Sequence, residues 1–367
     1  MPDEAQTSFR IPADWSFTPD QLTPLIAQRY PGARLSDVTL LEGSDGTSSR
    51  AKLGLRYAEG TGPAAVFAKT QGDIWHRLLH FMTGNLYREA LLYGSGIELP
   101  IEHPAPICGL VDRARLNELV IMEDLTPRQP SLFDATRRIA PDDVAAGLRA
   151  LAGLHSAFWN FTAASHPPLA WVETWRPSLR FRIILRGACR KGLANLRARV
   201  PDAIAALGAT GLEQAWTRYI RTAAQGPLTL LHGDPHIGNS YRLPDGTFGF
   251  LDWACTRRGN WAFDVGYFLA GALSPDECRR HERDLVEEYR RALKVPETEL
   301  PDTQQAWLRY RSTPAYGLAV WLATASSAEY QNHAICGNLI ERYGRAFLDL
   351  DTPGAIADLE GTLRSAR

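Results

Sequence analysis

The stretch HGDPHIGN, His232–Asn239, decides how the rest of the chain is read. Its two histidines, aspartate and asparagine suit two chemistries. Imidazole and carboxylate bind zinc or iron, so His232, Asp234 and His236, with Asp252 further on, form a candidate metal-dependent hydrolase set. The same residues also suit a catalytic loop built around Asp234. The flanking sequence separates the two readings.

Downstream, SYRLPDGTFGFL (Ser240–Leu251) carries two short apolar-rich arms around Pro244-Asp245-Gly246. Pro-Asp-Gly is strong turn chemistry, because proline presets φ and glycine accepts positive φ. The arms are nearly equal, so a hairpin returns the chain to its start and places Asn239 beside Asp252, within about 5 Å if the two pair directly. An amide oxygen and a carboxylate suit Mg2+, which takes oxygen donors and keeps waters and phosphate oxygens for the rest of its shell. Asp234, on the preceding loop, faces the same point. An aspartate that orients and deprotonates a hydroxyl, with an asparagine and a second aspartate holding Mg2+ on phosphates, is the residue set of phosphoryl transfer.

Upstream, the segment from Leu35 to Thr70 alternates apolar and polar residues and is broken by the turns GSDG and EGTGP. Strands are predicted at residues 37–42, 51–57 and 65–69, an antiparallel meander. A helix follows around Leu86–Gly94 and a strand around Glu118–Met122. Beyond Leu125 the pattern turns helical, over Val144–Phe158, Pro201–Ala224, Cys278–Leu293 and Thr303–Cys336. The expectation is α+β and bilobal: a small antiparallel β-rich N-lobe over residues 1–125 and a larger, mainly helical C-lobe over 126–367. In the first lobe, VFAKT ends a strand at Lys69 and LYREALLY places Glu89 in a helix. Such a lysine–glutamate pair is how kinases grip the α- and β-phosphates.

The whole-chain properties fit a globular enzyme. The 367 residues carry a formal net charge of -1, with no basic excess to favour nucleic acid. The longest apolar stretches, such as LAVWLATA from Leu318, fall short of the ~20 residues of a membrane span. The acidic, polar start MPDEAQTSFR lacks the pattern of a secretory signal and reads as cytoplasmic. Five cysteines, none spaced as Cys-x-x-Cys, argue against a disulfide framework or a structural zinc site.

Taken together, VIMEDL, LAGLHSAFW, LLHGDPHIGN and FLDWA followed by FDVGYFL give a chain that resembles the aminoglycoside phosphotransferase and choline kinase superfamily, in its ecdysteroid-kinase-like branch. The resemblance covers about Leu35 to Arg291. It implies a bilobal protein-kinase-like fold, with residues 1–125 binding nucleotide and residues 126–367 carrying catalysis and the acceptor, in an ATP- and Mg2+-dependent kinase acting on a hydroxyl of a small molecule. By it Asp234 is the catalytic base, Asn239 and Asp252 are Mg2+ ligands, and Lys69 with Glu89 positions the phosphates. Glu123 and Leu125 offer a backbone carbonyl and N–H to adenine, Ser44, Thr47 and Ser48 reach the phosphates from a degenerate glycine-rich loop, and Asp264 braces the catalytic loop. The chain departs from protein kinases in having His232-Gly233-Asp234 for His-Arg-Asp and Asp-Trp-Ala for Asp-Phe-Gly. Both departures favour a small-molecule kinase without an activation-loop switch. A non-catalytic kinase-like binding protein is the third reading, disfavoured because Lys69, Asp234, Asn239 and Asp252 are all present.

His155 and His232 are read as packed structural histidines, and His236 as a loop residue of open role. From Trp175 to Val200 the chain carries Arg176, Arg180, Arg182, Arg186, Arg190, Lys191, Arg197 and Arg199 without an acid. This is either a solvated helix face or a wall that meets an anionic substrate. Tyr267, Tyr316, Trp321 and Tyr330 are expected in helices beside Asp234. Aromatic rings with few acids suit a hydroxylated, largely apolar acceptor better than a polycationic aminoglycoside.

Overall fold

Alternating side chains and glycine turns yield three long strands: β1 (Arg34–Ser44), β2 (Ser48–Glu59) and β3 (Ala65–Gln71). In the computed structural model, which describes residues 9–12, 14–44, 48–72, 77 and 84–365, each runs beyond its predicted bounds. The ladder continues where the side-chain alternation has lapsed, because backbone pairing rather than apolar content ends a strand. Two more strands, β4 (Pro106–Asp112) and β5 (Asn117–Glu123), complete an antiparallel sheet of order β1-β2-β3-β5-β4. β4 went unread in the sequence. Leu53, Val66, Ala68, Leu119 and Ile121 form the sheet's core with Leu22, Leu25 and Ile26 of helix α1 (Pro19–Ile26). Thr18 and Gln21 cap α1 reciprocally, satisfying donors that a helix start leaves open. Helix α2 (Arg88–Tyr93) carries Glu89. These elements belong to one compact unit, made of residues 1–98, 103–130 and 252–255.

The second unit comprises residues 99–102, 131–251 and 256–367. Its helices are α3 (Pro141–Ala157), α4 (Leu179–Asn195), α5 (Asp202–Ala223), α6 (Ala262–Ala272), α7 (Pro275–Ala292), α8 (Thr303–Ser312), α9 (Pro314–Thr324), α10 (His333–Asp349) and α11 (Thr352–Ser365). Short strands β6 (Ser131–Leu132), β8 (Ser240–Arg242) and β9 (Phe248–Phe250) form one small sheet, and β7 (Thr229–Leu231) pairs with β10 (Arg257–Gly259). The fold is thus α+β, with an antiparallel sheet in the N-terminal region and a helical C-terminal part. The single helix expected over 303–336 is instead α8, α9 and the start of α10. Pro314 has no N–H to continue α8 and opens α9, and Asn332 caps α10 through its side chain. Among the described residues no helix is long and apolar enough to cross a membrane.

The basic segment resolves into two halves. Arg182 and Arg186 of α4 clamp the enclosed Glu213 of α5 at 2.6 and 2.7 Å, while Arg197 pairs with Asp202 and Arg199 with Glu341. Those four cations serve the fold. Arg176, Arg180, Arg190 and Lys191 have no acid partner among the described residues, and all four are exposed.

One buried charge in the first unit makes stability depend on pH. Glu118 of β5 accepts from the Gln71 amide, while its Oε2 and the Gln71 Oε1 lack partners among the described residues. Burial, with the nearby Glu89 adding to it, pushes the Glu118 carboxyl up to about 7. The folded chain therefore holds a proton that the unfolded chain releases between the ordinary carboxylate range and about pH 7. Raising pH through that window lowers stability, and above it the penalty is constant. Glu118→Gln is expected to raise the melting temperature at pH 8 and to leave it nearly unchanged at pH 5. An equal change at both pH values would contradict a titrating Glu118.

Candidate active site

The loop His232–Asn239 leaves β7 and enters β8 through a single tight turn at Ile237–Asn239. Its start is fixed from below by Asp264 of α6, a helix buried on every side. The His232 N–H donates to Asp264 Oδ2 at 2.7 Å and the Gly233 N–H to Oδ1 at 3.0 Å. His155 Nε2 lies 3.2 Å from Asp264 Oδ2, and its Nδ1 lies 2.7 Å from the Tyr289 hydroxyl. The three side chains have 0 % exposure. A carboxyl group so deeply placed needs hydrogen-bond partners for its oxygens, and here it has them. Gly233 has φ 85°, a left-handed conformation that an arginine would adopt only with strain. This backbone geometry accounts for glycine where protein kinases carry arginine.

His232 uses both ring nitrogens inside the fold, at 2.9 Å from the Leu251 carbonyl and 3.2 Å from the Asp234 N–H. It is therefore a structural residue and not a metal ligand, which removes one member of the hydrolase set. Among the described residues no group of three or more His, Cys, Asp or Glu side chains is arranged to hold a metal ion.

Asp234 follows on this pinned backbone. The Asn239 amide donates to the Asp234 carbonyl at 3.0 Å and to its Oδ2 at 3.3 Å. With its nitrogen committed, Asn239 presents Oδ1 as its remaining ligand atom, the donor type a hard cation takes. Burial, then the charge of Asp234 and a hydrogen bond to it, push the Tyr267 hydroxyl's pKa well up, so the phenol is a fixed donor to that carboxylate. The hairpin forms around Pro244, with Gly246 N–H bonded to the Leu243 carbonyl. Its register pairs Ser240 with Phe250, and the Leu251 N–H donates to the Asn239 carbonyl at 2.8 Å. The residue opposite Asn239 is therefore Leu251, one short of the expected Asp252.

In the first unit, Lys69 lies in β3 and Glu89 in α2, and the segment Asp252–Cys255 packs with them. Lys69 Nζ is 2.7 Å from Glu89 Oε2 and 2.7 Å from Asp252 Oδ1. The Trp253 N–H donates to Glu89 Oε1 at 3.1 Å, and Arg50 Nη2 is 3.6 Å from Asp252 Oδ2. Burial alone would lower the Lys69 pKa, but the Asp252 and Glu89 carboxylates outweigh it and hold the ammonium charged. Burial raises Glu89 and the Lys69 charge opposes that rise. Asp252 sits at φ 62°, a conformation that costs a non-glycine residue about 1–3 kcal/mol. The lysine contact and the hydrogen bond on the next residue's N–H hold it there.

The remaining expected residues are more dispersed. Glu123 ends β5, with its carboxylate on the Ala105 N–H at 3.1 Å and Arg128 at 3.3 Å. Leu125 accepts from the Arg128 N–H, and its own N–H makes no hydrogen bond among the described residues. Ser44 ends β1, exposed, and Ser48 begins β2, buried. Thr47 lies outside the described residues. Tyr267, Tyr316 and Trp321 lie on α6 and α9, with ring centres 5.0 Å apart for the tyrosines and 5.1 Å between Trp321 and His236. Tyr330 is instead in a turn and 40 % exposed, apart from this cluster. Arg50, beside Asp252, escaped the sequence reading. Its only signal was the strand register, which sets it opposite Lys69.

Asp264→Asn presents an NH2 group to one of the two backbone donors, so an unsatisfied buried N–H appears. It is expected to destabilise by about 3 kcal/mol, whereas Tyr289→Phe, which removes one hydrogen bond, costs about 1 kcal/mol. Thermal melting of both variants checks this order; equal small losses would contradict the brace.

Residues 76–311, more than half of the chain, match the model of a phosphotransferase enzyme family. Comparison with curated protein sequences finds no match. Among solved structures the chain is similar to a Ralstonia eutropha JMP134 protein assigned to the aminoglycoside phosphotransferases, at 14 % identity over 91 % of this chain and 98 % of that one, with a TM-score of 0.52. It is also similar to a spectinomycin phosphotransferase solved with ADP and spectinomycin (14 % identity, 92 % and 99 % coverage, TM-score 0.49). A choline kinase of Streptococcus pneumoniae aligns at 12 % identity over 91 % and 97 % of the two chains, with a TM-score of 0.48. On the extent of the family match, the chain belongs to the phosphotransferase enzyme family.

Proposed function

We propose that the chain transfers the γ-phosphate of ATP to a hydroxyl of a small, largely apolar molecule, as a kinase of the ecdysteroid-kinase-like branch. The observation that carries this reading is Asp234, held by the Asn239 amide and the Tyr267 hydroxyl on a loop tied to buried Asp264. A carboxylate oriented this firmly is suited to take a proton from an alcohol. Residues 1–125 serve the nucleotide and residues 126–367 serve catalysis and the acceptor.

Mg-ATP, when bound, supplies the phosphoryl group with its charge partly neutralised. The donor chemistry suits it: the Asn239 Oδ1 and the Asp252 carboxylate are oxygens of the type Mg2+ takes and would hold it, and Lys69, kept charged by its two acids, would meet phosphate oxygens. Ser44, Thr47 and Ser48 serve the phosphates, and the Leu125 N–H with the Glu123 carbonyl serves adenine. Asp234 accepts the acceptor's hydroxyl proton. Beside Asp234 stand Tyr267 and His236, with Tyr316 against the first and Trp321 against the second, rings that favour an apolar body.

Charge supports the same acceptor class. The exposed Arg176, Arg180, Arg190 and Lys191 raise the positive potential of the unit that carries Asp234, and a polycation is disfavoured there. Kanamycin-type aminoglycosides are expected to be poor substrates; a kcat/KM above ~10⁴ M⁻¹s⁻¹ for any of them would contradict this. Asp234→Asn is expected to lower phosphate transfer by about 10²–10⁴-fold while Mg-ATP affinity stays within a few-fold, read by ATP consumption across a panel of hydroxylated compounds with products identified by mass. Near-native turnover by that variant would remove Asp234 from the mechanism.

A further inference from the structure

We propose that His236 holds the attacking oxygen, with its Nε2–H donating to the same hydroxyl from which Asp234 takes the proton. This rests on the reading of Asp234 as the base. His236 caps the turn Ile237–Asn239 by accepting the Gly238 N–H on Nδ1 at 3.1 Å. An imidazole that accepts on Nδ1 carries its proton on Nε2. That nitrogen lies 4.0 Å from Asp234 Oδ2.

A separation of 4.0 Å exceeds a hydrogen bond and matches two hydrogen bonds to one shared oxygen. An oxygen about 2.8 Å from both atoms sees them at roughly 90°, which suits a hydroxyl that gives its proton to one partner and accepts from the other. The hydroxyl's second lone pair remains for phosphorus. As the oxygen–phosphorus bond forms and the bond to ADP breaks, the hydroxyl proton passes to Asp234 and the His236 hydrogen bond persists.

The ring's place is built into the fold. Its centre is 5.1 Å from Trp321 at an interplanar angle of 88° and 6.4 Å from Tyr267 at 71°. A Cβ on Gly238 would stand 2.9 Å from His236 Cε1 and 3.1 Å from Nδ1, so glycine leaves the ring its seat. His236 thus meets rings on one side and the turn's backbone on another. Phosphoryl transfer is governed chiefly by positioning, so a group that fixes the attacking oxygen contributes directly to rate.

Two substitutions separate the nitrogens. In His236→Asn the amide oxygen takes the place of Nδ1 and keeps the cap, while the donor at Nε2 is lost. In His236→Gln the amide N–H reaches the place of Nε2 and the cap is lost. Water serves as the acceptor, so the assay is slow Mg-ATP hydrolysis by the full chain, with Asp234→Asn as reference. His236→Asn is expected to hydrolyse about 10-fold more slowly with an unchanged KM for ATP and an unchanged melting temperature, and His236→Gln to recover to within about 3-fold of wild type. In ¹⁵N spectra of labelled protein the His236 proton is expected on Nε2. Wild-type hydrolysis by His236→Asn, beside an inactive Asp234→Asn, would overturn the role of His236 and leave Asp234 standing. Equal losses in the Asn and Gln variants, or a proton on Nδ1, would reduce His236 to a loop residue. Equal hydrolysis by wild type and Asp234→Asn would overturn the reading of the base itself.

Discussion

The carboxylate of Asp264 fixes the geometry on which the second unit's chemistry depends. It is fully enclosed, and its two oxygens are satisfied by the consecutive N–H groups of His232 and Gly233 and by His155. A buried charge tolerates no slack: each donor moved away costs on the order of 1–3 kcal/mol. The loop therefore begins from one position, and Asp234 follows from it. Glycine at 233 allows the turn, His232 closes it with both nitrogens, and the Asn239 amide folds back onto Asp234.

The first unit solves a different problem. Lys69 is a buried ammonium between the carboxylates of Glu89 and Asp252 on the central strand of the sheet, with Arg50 of the neighbouring strand against Asp252. Such clusters are weak sources of stability, because desolvation offsets much of the attraction. This cluster's carboxylate oxygens are of the type a hard cation takes, and its ammonium of the type a phosphate oxygen takes. The left-handed φ of Asp252 belongs with this, since strain at an isolated carboxylate is tolerated where neighbours over-determine its position.

Much of this was legible in the sequence because the chemistry is local. Asp234, Asn239 and Asp252 are separated by a loop and a hairpin, and Pro244-Asp245-Gly246 announces its own turn. Lys69 and Glu89 were legible as a strand end and a helix residue. What the sequence hid depends on register or on tertiary breaks. Leu251, not Asp252, stands opposite Asn239, because pairing is symmetric about Pro244-Asp245-Gly246 and the arm before Asp252 is one residue longer than the arm after Asn239. Thr303–Cys336 reads as continuous helix by composition, yet proline and a side-chain cap divide it. The Tyr267 contact with Asp234 and the Arg182–Glu213–Arg186 clamp join residues far apart in the chain, which periodicity cannot reveal.

The central claim is that this chain holds Mg-ATP through Asp252, and metal-dependent stabilisation by nucleotide tests it most directly. Asp252→Asn is the suitable variant, since asparagine also tolerates the left-handed backbone. At a Mg-ATP concentration of 100 times Kd, wild type should gain about 2.7 kcal/mol of stability, read as a rise in melting temperature. That rise should disappear without Mg2+ and should fall to a small fraction in Asp252→Asn. Full stabilisation of the variant by Mg-ATP, or an equal rise for wild type in the absence of metal, would contradict the account.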